Sequence, residues 1–271
     1  MIGCLVLGDE MAFVLENDPA VQNILIVDTD EGRVFREKLD SKASGQYVRM
    51  VSEDELGRLE LSGPSVVVWM NDAGLHDDPK TMLEKLALNV HSLEGHCGSV
   101  LVFYGLCRNT RYEMNRFTDR FDVPVTLLTD EDGAVVDDCF AAVLGGRERY
   151  ANMLRASARA ILLTPGYAEH WARKLERHGL ETLIRQYENY QQLFDTLGYN
   201  KVMVLDNGLG DRGALRERAR LFASFFDLMV DTARCDTKVF ERSYQMAWSR
   251  VLVPSPVEGP EREAALSRTL P

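Results

Sequence analysis

Val100-Leu101-Val102-Phe103-Tyr104-Gly105-Leu106-Cys107-Arg108-Asn109 decides the fold class. Four consecutive apolar residues lack the alternation of a half-exposed strand. They read as a strand buried on both faces, as in a parallel sheet. Residues 108–120 read as helix, so Cys107 falls in a strand-to-helix turn. In an open α/β sheet, such turns at the carboxyl ends of strands are where ligands are met. Cys4 has a similar setting, near the end of a strand starting at Met1, and Cys139 lies in another short connection. Three thiols at turns suggest one converging site around an opening.

Similar apolar, branched runs recur at 24–27, 47–50, 66–69, 125–128, 160–163 and 202–205, and amphipathic stretches at 81–93, 147–156 and 167–178 alternate with them. This alternation predicts βαβ units: an α/β fold with mainly parallel open sheets flanked by helices, Rossmann-like. The spacing fits two similar halves, 1–95 and 96–253, dividing near Gly95 to Gly98, and it fits one continuous sheet equally well. Residues 182–197 and 212–229 read as long helices, with Tyr187, Tyr190 and Phe194 forming an aromatic face that covers the sheet. Residues 254–271, with Pro254, Pro256, Gly259 and Pro260 amid charges, read as a flexible C-terminal tail.

A formal net charge of −11 argues against nucleic acid or an anionic membrane as partner. No apolar run approaches the ~18 residues that span a bilayer. The five cysteines contain no C-x-x-C pair, which excludes a zinc ribbon or thioredoxin motif and makes a disulfide framework a poor fit. A cytoplasmic protein is expected.

Other motifs carry less. Gly208-Leu209-Gly210-Asp211-Arg212-Gly213 matches G-x-G-x-x-G, but Asp206 and Asn207 separate it from the strand, and no acidic residue follows at the ribose position. It reads as a turn with Asp211 as helix N-cap. Asp28-Thr29-Asp30-Glu31 reads as a solvated loop. Asp130-Glu131-Asp132-Gly133 opens like a calcium loop, yet its twelfth position is Ala141 rather than Glu. The five histidines show no metal-ligand spacing, and there is no nucleophile elbow or Walker loop. In Thr164-Pro165-Gly166-Tyr167, Pro and Gly set a turn whose free N–H groups suit an anion.

These turns together resemble an uncharacterised family, the domain-of-unknown-function family numbered sixteen thirty-eight. Cys4 and Glu10 match its opening strand and helix. Tyr104 to Asn109 match its Tyr-Gly-Leu-Cys-Gly-Asn segment, with Arg108 in place of the second Gly. Asp137-Asp138-Cys139 match its His-Asp-Cys, with Asp137 in place of His, and Leu163 to Tyr167 match its Leu-Thr-Pro-Gly-Trp, with Tyr167 in place of Trp. The resemblance covers roughly residues 1–230. It implies a setting common in methanogens and anaerobes, near corrinoid-dependent methyltransferases, with a corrinoid protein or methyltransferase as partner.

Three functions are set against one another. The first is a metal or metallocofactor protein, accessory protein or enzyme, with Cys4, Cys107 and Cys139 as ligands and Asp138 as a fourth ligand or its neighbour. Thiolates suit zinc, iron or an iron–sulfur cluster, and Asn109, Pro165 and Gly166 in the matched turns are candidate cofactor contacts. Arg108 and nearby helix N-termini are expected to favour thiolate. The second is an enzyme with Cys107 as nucleophile in a small-molecule pocket. The third is a binding module without chemistry of its own.

Overall fold

A computed structural model describes residues 1–40, 46–109 and 111–252; the expected tail lies outside them, as does the side chain of Tyr187. Six strands form one wholly parallel sheet: β1 (Ile2–Cys4), β2 (Asn23–Val27), β3 (Tyr47–Val51), β4 (Ser65–Asn71), β5 (Val100–Phe103) and β6 (Val125–Leu127), in the order β3-β2-β4-β1-β5-β6. Each residue of β1, β5 and β6 is buried, the polar Thr126 of β6 included. Helices α1 (Gly8–Glu16) and α2 (Asp30–Asp40) cover one face, and α3 (Pro79–Glu94) and α4 (Arg111–Thr118) cover the other.

The parallel α/β expectation therefore holds, and the sheets divide later in the chain than residues 95–98. Strands β5 and β6 complete the first sheet. Helices α5 (Cys139–Leu144) and α6 (Arg147–Ala156) then lead to a second parallel sheet of β7 (Ala160–Leu163), β8 (Lys201–Asp206) and β9 (Met229–Arg234). The stretches at 167–178 and 182–197 are one helix, α7 (Pro165–Leu197). Helix α8 (Arg212–Phe225) stops short of 229, where β9 begins as an exposed edge. The last described helix, α9 (Lys238–Leu252), returns to the first sheet, where Phe240 stacks on Phe103 at 5.3 Å and the Ser243 hydroxyl accepts from the Thr129 N–H at 3.0 Å. Among the described residues no helix is long and apolar enough to cross a membrane.

Two contacts fix the second lobe on the first. The turn Leu5–Leu7 after β1 meets the first turn of α7 so closely that a Cβ on Gly166 would lie 1.9 Å from the Val6 carbonyl oxygen. Beside it, Lys38 of α2 donates to Asp9 of α1 at 3.1 Å and to Glu169 of α7 at 2.6 Å, with all three side chains less than 15% exposed. Gly166→Ala should accordingly destabilise the protein by about 3 kcal/mol or more, because the backbone of Val6 has no room to yield. Gly95→Ala, which meets nothing within 4 Å, should stay within about 0.5 kcal/mol of the parent; urea unfolding of the two variants compares them.

Candidate functional site

Strand β1 passes leftward through α1 to β2 on one face, while its neighbour β5 passes through α4 to β6 on the other. The carboxyl ends of β1 and β5 therefore frame a topological switch point, the place where an open α/β sheet leaves a crevice. Cys4 ends β1, and Cys107 lies four residues beyond the end of β5. Gly105 lets the turn after β5 lie against residues 136–138: a Cβ there would sit 2.5 Å from the Val136 carbonyl oxygen. The N–H groups of Leu106 and Cys107 then donate to the carbonyls of Val136 and Asp137, each at 2.8 Å. That short pairing brings Cys107 alongside Asp138 and Cys139 at the start of α5.

The outcome is a cavity of about 170 Å³ lined by Cys4, Cys107, Asp138 and Cys139 together with Tyr104, Phe140 and Tyr167. Phe140 and Tyr167 stack at 5.2 Å with their planes 7° apart. Asp138 caps α5 by accepting from the Ala141 N–H at 2.9 Å, and its second oxygen accepts from the Tyr150 hydroxyl at 3.1 Å. Tyr104 is buried, with its hydroxyl near Cys4 and Asn71 but making no hydrogen bond of full geometry. Cys97 lines a different pocket, beside Met1, and Cys235 follows β9 outside the cavity.

Burial sets the electrostatics. It pushes Cys4 up to about 12, and it pushes Cys107 to about 12 with help from Cys4 and Asp138. Cys139 is driven well up by burial, then by Asp138 and the other two thiols. Burial also raises Asp138, against the hydrogen bonds that hold it down. The thiols are thus neutral near pH 7, the opposite of the thiolate bias expected from Arg108. That side chain is exposed, and a charge facing water is screened too well to offset desolvation.

Among the described residues, no group of three or more His, Cys, Asp or Glu side chains is arranged to hold a metal ion. The donors suit a thiophilic group in kind, but a single tetrahedral ion would need them drawn together. Asn109, Pro165 and Gly166 do not line this cavity. Asn109 closes its own turn, donating from Nδ2 to the Leu106 carbonyl at 3.1 Å. Pro165 is the first residue of α7, and Gly166 is the close contact with Val6. The G-x-G-x-x-G segment is also accounted for locally: the Asp211 carboxylate accepts from the Gly213 and Ala214 N–H groups at 2.8 and 3.0 Å, filling the helix end where a pyrophosphate would bind. Arg33 answers Asp28 and Asp30 at 2.9 and 3.2 Å.

Glu10 was visible only as part of a matched segment. It is 1% exposed, accepts from Asn207 Nδ2 at 2.7 Å, and feels Cys139 and Cys235. It thereby joins α1 to the end of β8, close behind the thiol cavity. Burial, with Asp9 adding to it, raises its carboxyl to about 7. The side chains that close the cavity, Tyr104 and Tyr167, stood in the sequence beside the motif residues. Their signal was adjacency to glycine-bearing turns, which place neighbouring rings at a strand end.

The chain belongs to the family described as "Protein of unknown function (DUF1638)", whose model matches residues 70–244. No curated protein and no solved structure matches it.

Two outcomes follow from this geometry. Cys107 and Arg108 both have left-handed backbones, with φ of 47° and 73°, and a non-glycine residue there is strained. Arg108→Gly should stabilise the protein by about 0.5–1 kcal/mol, after allowing for the greater freedom of glycine in the unfolded chain. For Glu10 the folded pKa lies above the unfolded one. Its carboxyl costs nothing below about pH 4.3, and its burial penalty grows up to about pH 7 and then levels. Glu10→Gln should therefore be near neutral in stability at pH 4 and stabilising at pH 8, by roughly 3 kcal/mol at most. Chemical denaturation at the two pH values measures the difference.

Proposed function

We propose that the protein binds a soft-metal ion or metallocofactor through Cys4, Cys107 and Cys139, with Asp138 as a further ligand or as an acceptor beside the ligands. The observation that carries this reading is the meeting of these four side chains on one cavity at the switch point of the sheet. Chain-distant thiols packed only as small hydrophobes would have no reason to share an opening with a carboxylate.

A cluster or a metal carried within a larger group accepts donors spaced more widely than one bare ion does. Zinc and iron remain the candidate metals, and the group would supply Lewis-acid or redox chemistry according to its identity. The chain's own residues would provide soft donors in a mostly apolar wall, exclude bulk water behind Phe140 and Tyr167, and hold Asp138 in place through the Ala141 N–H and Tyr150. A corrinoid protein or methyltransferase is the partner we propose, following the family resemblance, with the protein serving as accessory factor or as enzyme beside it. Cys107 as a nucleophile is the weaker alternative, because burial holds its thiol neutral.

Because the thiols start protonated, ligation must displace about one proton per thiolate formed, and metal affinity should rise with pH. Anaerobic protein should retain transition metal, and cobalt titration should develop a thiolate-to-metal absorption band with proton release. Cys107→Ser and Cys139→Ser should each weaken binding by about tenfold or more. Less than roughly 0.2 equivalents of every transition metal after anaerobic purification and reconstitution, where a built site holds about one, would sink the proposal.

A further inference from the structure

At the carboxyl edge of the first sheet, three side chains form a row across β4, β1 and the end of β5. Cys4 is in register with Asn71, and the pairing of Gly3 with Phe103 sets Tyr104 on the other side of Cys4. Cys4, Asn71 and Tyr104 are 8%, 5% and 3% exposed. Cys4 and Tyr104 pack on the face that α3 covers. From that helix Asn89, 1% exposed, reaches the row and donates from Nδ2 to the Asn71 Oδ1 at 2.9 Å.

That bond orients the whole row. With its oxygen engaged by Asn89, Asn71 turns Nδ2 toward the Tyr104 oxygen, and the Tyr104 hydroxyl in turn faces the Cys4 sulfur. Each group donates to the next, and the series ends on one thiol. The last two contacts fall short of full hydrogen-bond geometry, which buried donors rarely do without a reason. A neutral thiol is a weak acceptor, whereas an ionised sulfur is a strong one. The row is therefore complete when Cys4 carries negative charge. Cys107 and Cys139 are set differently, since Asp138 acts on both and opposes charge on each.

We infer that Tyr104, braced by Asn71 and Asn89, is a positioning residue of the thiol site: its hydroxyl donates to the Cys4 sulfur when that sulfur is a metal-bound thiolate, which makes Cys4 the anchoring ligand. This role rests on the metal-binding reading and adds to it which of the three sulfurs is held. On ligation the Cys4 S–H bond breaks, its proton passes to solvent, the sulfur–metal bond forms from the freed pair, and nothing is oxidised or reduced. Tyr104 keeps its own proton throughout. Its hydroxyl takes up part of the charge on sulfur, as the groups behind metal ligands commonly do.

Cobalt(II), titrated anaerobically into the full chain, is the probe, because its thiolate-to-metal absorption band reports on the sulfur itself. Tyr104→Phe keeps the ring and removes the donor alone. It should weaken cobalt binding by about tenfold and move the band to longer wavelength, since a sulfur without its hydrogen bond gives up electron density more easily. A ring that only filled space would leave the band where it is. Asn71→Leu combined with Asn89→Leu removes the brace as a pair, so that neither amide is left alone, and should move the band the same way by less. Cys4→Ser should cost more affinity than either Cys107→Ser or Cys139→Ser, and an equal or smaller loss overturns the anchoring role. A parent that binds cobalt beside a Tyr104→Phe variant with an unmoved band overturns the role of Tyr104 alone. A parent that takes up no cobalt overturns the metal-binding reading and this role with it. Should Tyr104→Phe fail to fold, the paired asparagine variant decides: a shift to longer wavelength supports the role, and an unmoved band overturns it.

Discussion

The contact of Gly166 with the Val6 backbone is the constraint on which the rest of the arrangement depends. Backbone on backbone, with no side chain between, is the closest approach two elements can make, and only glycine permits it. It fixes the first turn of α7 on the turn that follows β1, so Tyr167 is carried over Cys4 and the second sheet is held at the carboxyl end of the first. The buried Lys38, bridging Asp9 and Glu169, acts in the same place. Its own charge is answered on both sides, which is the condition under which a buried ion is tolerated. Glu10 and Asn207 add a third link between the lobes, behind the thiols.

A second constraint builds the other wall. Gly105 permits the pairing of Leu106 and Cys107 with residues 136–137, and that pairing carries two residues of left-handed backbone in succession. Strain of this sort persists only where the surroundings over-determine the conformation. Here two hydrogen bonds and the Asn109 side chain do so. Arg108 stands at the position where the resembled motif has glycine, and its φ of 73° supplies the physical reason for a glycine there. The arginine is exposed and stands at the edge of the thiol cavity, where water screens its charge.

What could be read from the sequence follows from where each segment is buried. Strands such as β2, β4 and β5 announce themselves because a strand covered on both faces is dominated by apolar residues, and the end of β1 and the turn after β5 carry Cys4 and Cys107. Strand β9, Met-Val-Asp-Thr-Ala-Arg, is an exposed edge and has neither an apolar run nor alternation, so Met229 reads as the end of the preceding helix and the rest as no element. Helix α7 reads as two pieces because Gly179 falls inside a span whose helix otherwise persists for 33 residues. The return of α9 to the first sheet is a tertiary fact with no local signature. Motif adjacency located the thiols, but burial and the protonation it imposes arise only when remote segments close over them. Asn109 and Gly166, marked by their motifs as candidate ligand contacts, also set backbone geometry.

The same closure bears on the chemistry open to the thiols. A nucleophilic cysteine needs a thiolate at ambient pH, hence a neighbouring cation, a base or a helix end aimed at the sulfur. Around Cys107 the neighbours that act on its charge are Cys4 and Asp138, both of which oppose ionisation, and burial opposes it more strongly still. Every one of these effects changes sign in its consequence when a cation enters. The mutual repulsion that keeps three thiols protonated becomes attraction to a shared positive centre, and the carboxylate that disfavours thiolate then favours the metal. Under the proposed reading, neutral thiols lining one cavity with a carboxylate are poorly suited to act alone and suited to a thiophilic partner.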